Sequence, residues 1–317
     1  MVAPCPSFQV PIGIPIFGLG FTKDNQLLLC GGGGAGRSGV KNKLCYYKVD
    51  MKRKDLEEEA IYEISSDEDA PMCLAIHPKE NVAASGINAS PKSMLTGVND
   101  NCRFFDIGET SISLKNAVKT LDSLQEDDYQ KTVRFSKDGS LLATGTTDGL
   151  ANVYSYPTLE LVVKVQVVEN NDVLDVDINE ENAKLTAVVP DALKLISLRG
   201  RNAGTIIQTV SVSVVSKHKL QFRAFRYGMG LSENLGFAVA NGIGKSKGGF
   251  IVILDAHTLE VKRVQQVSKK PITTFCLSPD GSVIGYGCAD FEVSLLEAST
   301  LRVSGNINKN TYNVNEH

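Results

Sequence analysis

The chain has 317 residues, with 33 Lys and Arg against 36 Asp and Glu and a net charge of −3. A balance this close to neutral excludes a nucleic-acid coat, which needs a basic excess. With 42% apolar and 22% charged residues, the chain is globular in composition and long enough to be stable without disulfides.

At the N-terminus, residues 1–15 (MVAPCPSFQVPIGIP) have no basic segment and are broken by prolines, unlike a signal peptide. Residues 8–17 are expected to supply an extra strand that helps close the fold. The first repeat unit opens at residues 17–30 (FGLGFTKDNQLLLC), which reads as a hairpin around Asp24 and Asn25.

The next segment, residues 30–43 (CGGGGAGRSGVKNK), is the most unusual in the chain. It is expected as a loop inserted in the first blade. Gly31-x-Gly33-x-x-Gly36 and Gly34-x-Gly36-x-x-Gly39 both satisfy GxGxxG. A dinucleotide fingerprint must open a helix, but the residues after this loop, KLCYYKV, alternate as a strand. A P-loop needs Gly-Lys-Ser/Thr, but Gly39 is followed by Val40 and Lys41. Six glycines in nine residues permit left-handed backbone and close chain approach. Ordering them costs entropy, so an ordered form needs something to hold it. Three readings stay open: carbonyls around a monovalent cation, an N–H nest for an anion, favoured by Arg37, Lys41 and Lys43, and a plain surface hairpin.

Further along, Glu57–Glu59 and Ser65-Ser66-Asp67-Glu68-Asp69 form an acidic loop. It reads as solvated, with Ser65 or Ser66 open to an acidophilic kinase. Residues 73–86 hold a second hairpin around Lys79 and Glu80, with His77 as a turn histidine. Asn88-Ala89-Ser90 has the form of a glycosylation sequon but is followed by Pro91. Residues 133–161 and 275–303 then align with each other: strand, Asp-Gly turn, strand, Gly-x-x-Asp turn, strand, Thr-Leu turn, strand. Weaker copies lie around Glu181 and Asn182 and around Ser232 and Glu233. Leu161–Val168 is too short to span a bilayer and carries Lys164. The cluster Lys217, His218, Lys219, Arg223 and Arg226 comes without a recognition helix, so no nucleic acid is expected. Lys245 and Lys247 sit in a glycine-rich turn and could meet an acidic membrane surface or a protein partner. A polar tail, residues 306–317, ends the chain.

The units recur about every 47–57 residues, near the period of WD-type blades with inserted loops. A lone four-stranded sheet cannot cover both faces, but blades packed side by side can. The expected fold is therefore all-β, a WD-repeat-like β-propeller over residues 1–317 as one domain with six blade units visible. Trp is absent altogether, and Val153-Tyr154 stands where Trp-Asp would. The seven cysteines are an odd number without a CxxC pair, so they read as scattered buried thiols. The four histidines have no metal spacing, and a Ser–His–Asp reading finds no motif.

The segment GGGGAGRSGVKNK resembles the loop of the ER-membrane guanine-nucleotide exchange factors that activate the small GTPase initiating COPII coats. The similarity continues in Asp127–Lys131 leading into VRFSKDGSLLATGTTDG, and in GKSKGG at Gly244–Gly249. The resemblance implies a seven-bladed propeller on the cytosolic face of the ER, anchored by a membrane helix C-terminal to it. No span is expected in this chain, which ends before a seventh blade, as a truncated product would. The resemblance also implies a potassium ion held by backbone carbonyls within Gly31, Gly33, Gly34, Gly36 and Ser38. It implies that Asn42 is the residue essential for exchange, with Arg37, Val40, Lys41 and Lys43 contacting the GTPase. Val40-Lys41 departs from the apolar-Pro pair found there in some members. The expected activity is nucleotide exchange without covalent chemistry, by a monomer whose partner is that small GTPase. The alternatives are a non-catalytic propeller scaffold assisting ER export of cargo and a generic WD-repeat adaptor.

Overall fold

A computed structural model describes residues 7–35, 38–215 and 219–307. Among them the chain forms six four-stranded antiparallel sheets, each made of consecutive strands in sequence order. The first holds β1 (Ile16–Phe21), β2 (Leu27–Gly31), β3 (Lys43–Asp50) and β4 (Asp55–Glu63). The second holds β5 (Leu74–Ile76), β6 (Val82–Gly86), β7 (Cys102–Ile107) and β8 (Ile112–Val118), with helix α1 (Pro91–Leu95) between β6 and β7. The third holds β9 (Gln130–Phe135), β10 (Leu141–Thr146), β11 (Leu150–Ser155) and β12 (Leu161–Gln166). The fourth runs through β13 (Asp175–Ile178), β14 (Lys184–Val189), β15 (Ala192–Ser197) and β16 (Ile206–Ser211). A short helix α2 (Val212–Val215) precedes the fifth: β17 (Leu220–Tyr227), β18 (Leu235–Gly242), β19 (Gly249–Asp255) and β20 (Val261–Ser268). The sixth holds β21 (Ile272–Leu277), β22 (Val283–Cys288), β23 (Val293–Glu297) and β24 (Val303–Ile307).

These are propeller blades, and the six units read from the repeats are the six sheets. A seventh blade is not among the described residues. The chain packs as two compact units, one of Val10–Ala187 with Ile196–Thr205, the other containing Val188–Leu195 and the chain from Ile206 on.

Within each unit the core lies between neighbouring blades, because a central strand is apolar on both faces. Phe104 and Phe105 on β7 show this directly. Phe105 packs with Leu28, Cys30, Leu44 and Tyr46 of the first blade. Its neighbour Phe104 points the other way, to Val133, Leu142 and Tyr156 of the third. In the other unit, Phe237 and Ile253 of the fifth blade meet Phe275, Ile284 and Leu296 of the sixth.

Turn chemistry sets the strand ends. Gly139 and Gly281 close their Asp-Gly turns with φ of 83° and 72°, the left-handed region that glycine enters freely. The Thr-Leu turns use leucine in the same region: Leu159, Leu259 and Leu301 have φ of 59°, 52° and 56°. Burial of Leu259 and Leu301 offsets that backbone strain.

Two expectations need correction. Residues 8–15 form no strand: Pro11 and Pro15 remove ladder donors and Gly13 turns the chain at φ 74°. The segment instead lays Ile12 and Ile14 on Leu29, Cys45 and Tyr47 of the first blade. The polar tail also begins later than expected, since Asn306 and Ile307 belong to β24; residues 308–317 lie outside the described ones.

Candidate functional site: the glycine loop

The glycine loop joins β2 to β3, and the ladder closes at its base, where Gly31 pairs with Lys43. Side chains are missing there because other atoms occupy their space. A Cβ on Gly31 would sit 1.8 Å from the Pro15 carbonyl oxygen. One on Gly33 would sit 1.8 Å from Ser38 Oγ, and one on Gly32, at φ 151°, 2.3 Å from Asn42 Oδ1. Gly34 and Gly39 adopt φ of 79° and 75°. The glycines thus let two strands of loop press together, which a floppy hairpin would not require.

Asn42 holds the arrangement. It is 4% exposed, with its amide turned inward. Oδ1 accepts from Gly34 N–H at 3.0 Å, while Nδ2 donates to the Gly34 carbonyl at 3.1 Å and to the Glu68 carbonyl at 3.1 Å. Only a group that donates and accepts together can make this set. Its backbone carbonyl accepts from Ile64 N–H at 2.9 Å. The acidic loop is therefore the wall of the glycine loop. That wall is held in turn by a bidentate ion pair between Glu68 and Arg103 of β7, with Nη1 donating to Oε2 at 3.0 Å and Nη2 to Oε1. Sequence reasoning missed Arg103; the signal was a cation directly before the paired aromatics of the strand CRFFDI.

The other expected residues fall around this centre. Ser38 and Lys41 are exposed, and Val40 and Lys43 are half-buried. Ser38 Oγ accepts from Val40 N–H at 3.2 Å. Lys41 pairs with Glu63 at 2.7 Å, an exposed pair worth little to stability. Gly36 and Arg37 lie outside the described residues. The oxygens facing the Gly32–Gly33 backbone are Ser38 Oγ, the Val40 and Lys41 carbonyls and Asn42 Oδ1. That neutral oxygen set suits a hard monovalent cation in kind. One lone pair of the Gly34 carbonyl is already taken by Asn42.

Cys30, at the head of the loop, is fully buried, and burial pushes its thiol well above the ordinary range. Of the six described cysteines only Cys276 is exposed. His77 is a buried structural ring: its Nδ1 accepts from Lys79 and Glu80 N–H at 3.2 and 2.9 Å, and Nε2 meets the Gly139 carbonyl at 3.1 Å. Asn88 of the sequon is also buried, with its amide donating to the Asp128 carbonyl at 2.8 Å. Among the described residues, no three His, Cys, Asp or Glu side chains gather as a metal group, and no helix is long and apolar enough to cross a membrane.

Comparison with known proteins agrees with the fold. The WD domain, G-beta repeat model matches residues 119–155, which lead into and form most of the third blade. SEC12-like protein 2 of Arabidopsis thaliana is 23% identical over 274 residues, covering 84% of this chain and 64% of that protein. Guanine nucleotide-exchange factor SEC12 of Candida glabrata is 26% identical over 190 residues, covering 59% of this chain and 41% of that protein. The Mus musculus protein of the same name is 22% identical over 315 residues, covering 88% and 74% respectively. The chain spans less than two thirds of the first two relatives. It is an all-β chain of propeller blades with a WD repeat, similar along most of its length to proteins that carry the SEC12 name.

Proposed function

We propose that this chain promotes guanine-nucleotide exchange on the small GTPase that initiates COPII coats, at the cytosolic face of the ER. What supports the reading is a glycine loop whose described residues are buttressed by Asn42 and Glu68, in a chain whose relatives are named as exchange factors. No bond is made or broken in exchange. The factor needs only to bind the nucleotide-free GTPase more tightly than the nucleotide-bound form. A ~10³-fold faster release corresponds to a barrier lower by about 4 kcal/mol. A loop already shaped loses less entropy on docking than a slack one.

In this reading Val40, Lys41 and Lys43 meet the GTPase, together with Arg37, which lies outside the described residues. Asn42 is the residue on which exchange turns. Its three bonds go to backbone groups, so partner groups can replace them without loss in number, and the glycine backbone can adjust with them. A potassium ion belongs to the same reading. Backbone carbonyls within Gly31, Gly33, Gly34 and Ser38, with Gly36 outside the described residues, would hold it, and its charge would brace the loop. The seven-blade ring is part of the reading as well: Phe17, Leu19 and Phe21 leave an exposed apolar face on β1 that a further blade would cover.

The test is intrinsic tryptophan fluorescence of the GTPase, because this chain has no Trp. Addition of the protein should accelerate nucleotide release, more so in potassium than in sodium. Asn42→Ala should still unfold in a cooperative thermal transition, at a lower midpoint because three backbone groups lose their partner, and lose acceleration by at least tenfold. Wild-type-like acceleration by that variant would end the assignment to Asn42. Binding without acceleration would select a scaffold.

A further inference from the structure

The loop between β6 and β7, residues 87–101, matches the glycine loop in position: each connects the second to the third strand of its blade. It is tied down throughout. Ala89 N–H donates to Asn99 Oδ1 at 2.9 Å, and Asn99 Nδ2 donates to Asn88 Oδ1 at 3.1 Å. Ser90 caps α1, accepting from Ser93 N–H at 3.3 Å, and Met94 is buried beneath. Val98 N–H donates to the Ser93 carbonyl at 3.1 Å. Yet Leu95 is 78% exposed and Val98 56%. A single exposed aliphatic residue needs no explanation. Two of them, three positions apart on a loop held by this many internal bonds, are displayed rather than slack.

The same loop is joined to the glycine loop. Asn42 donates to the Glu68 carbonyl, and the next residue, Asp69, donates its N–H to the Asn88 carbonyl at 3.2 Å. Asn88 then reaches the Asp128 carbonyl at the start of the third blade. A relay of buried amides therefore makes the glycine loop, the acidic turn and the β6–β7 loop one platform. Asp67, Lys92 and Asp100 are exposed on it.

We propose that Leu95 and Val98 are the second docking contact for the GTPase, seated in an apolar recess of that partner with basic groups around it. This rests on the exchange reading above. Continuity with the glycine loop and the acidic rim favours this one occupant. The glycine loop acts on release, whereas Leu95 and Val98 supply affinity. Because both side chains project mostly into solvent, their loss should raise the KM for the GTPase and leave kcat unchanged.

The experiment compares wild type with Leu95→Ser/Val98→Ser over a range of GTPase concentration, and measures binding to the nucleotide-free GTPase in parallel. At least a tenfold rise in KM at constant kcat is expected, with the thermal midpoint unchanged and recovery in Leu95→Met/Val98→Ile. An unchanged KM, or a fall in kcat alone, overturns the proposal while the exchange reading stands. If wild type gives no exchange, the exchange reading falls; weaker binding of the double variant then still supports the contact, and equal or no binding overturns it.

Discussion

At the scale of single residues, the informative group is the carboxamide of Asn42. It accepts once and donates twice, and each partner is a backbone group of fixed polarity. An aspartate there keeps the bond from Gly34 N–H but turns its other oxygen onto two carbonyls. Buried acceptors left facing each other cost about 1–3 kcal/mol. Asn42→Asp should therefore destabilise more than Asn42→Ala, although it is nearly isosteric. Urea unfolding of the two variants checks the order, and an aspartate as stable as wild type would mean that the amide is not held as described.

At the scale of elements, the Asp-Gly turns act as clamps. In the sixth blade, Asp280 accepts from Ser278 Oγ at 2.6 Å and from Ser282 N–H and Oγ at 3.1 and 2.8 Å. Bonds from Ser278 first, then Ser282, hold its carboxyl down at about 2. Its folded value lies below the ordinary one near 3.9, so its contribution is present above about pH 4 and is lost as pH falls through about 2. The difference in melting temperature between wild type and Asp280→Asn should be largest at neutral pH and close towards pH 2. A gap that is constant with pH would refute the clamp.

The equivalent turn of the third blade meets the second blade through its glycine. A Cβ on Gly139 would lie 2.2 Å from His77 Nε2, at φ 83°. Gly139→Ala combines left-handed strain with overpacking, each of order 1–3 kcal/mol. A loss of at least about 2 kcal/mol in denaturant unfolding is expected, and a near-neutral result would show that the ring can move aside.

At the scale of the whole molecule, stability and function make different demands on the same blades. Within each unit the faces between neighbouring blades are filled by large apolar side chains, which gives a rigid base for loops whose glycines could not order themselves. The face of β1 bearing Phe17, Leu19 and Phe21 is exposed. Contiguous apolar surface of this kind drives association. Leu19→Ser/Phe21→Ser should lower self-association in light scattering and shift the melting temperature by only a few degrees. An unchanged scattering profile would show that the face is not sticky.

The strand pattern was legible from the residues alone, because it depends on local rules. Alternation at Leu141–Thr146, Asp-Gly at Asp138 and Asp280, and the Thr-Leu turns fix hairpins whatever lies around them. Hence the six blades and the bounds of the glycine loop could be read from spacing. The direction of the Asn42 side chain could not, since it depends on Glu68, which is 26 residues away, and on Arg103, which is 35 residues beyond Glu68. No short-range pattern encodes such pairings. Nor did the sequence show that residues 8–15 would lie as an irregular cover over Leu29 and Tyr47, because prolines forbid the ladder but do not say where the chain goes instead. Local backbone chemistry determined the elements. Only the tertiary structure, by bringing distant polar groups into one low-dielectric neighbourhood where each must find a partner, decided which residues hold the loop and which face outward.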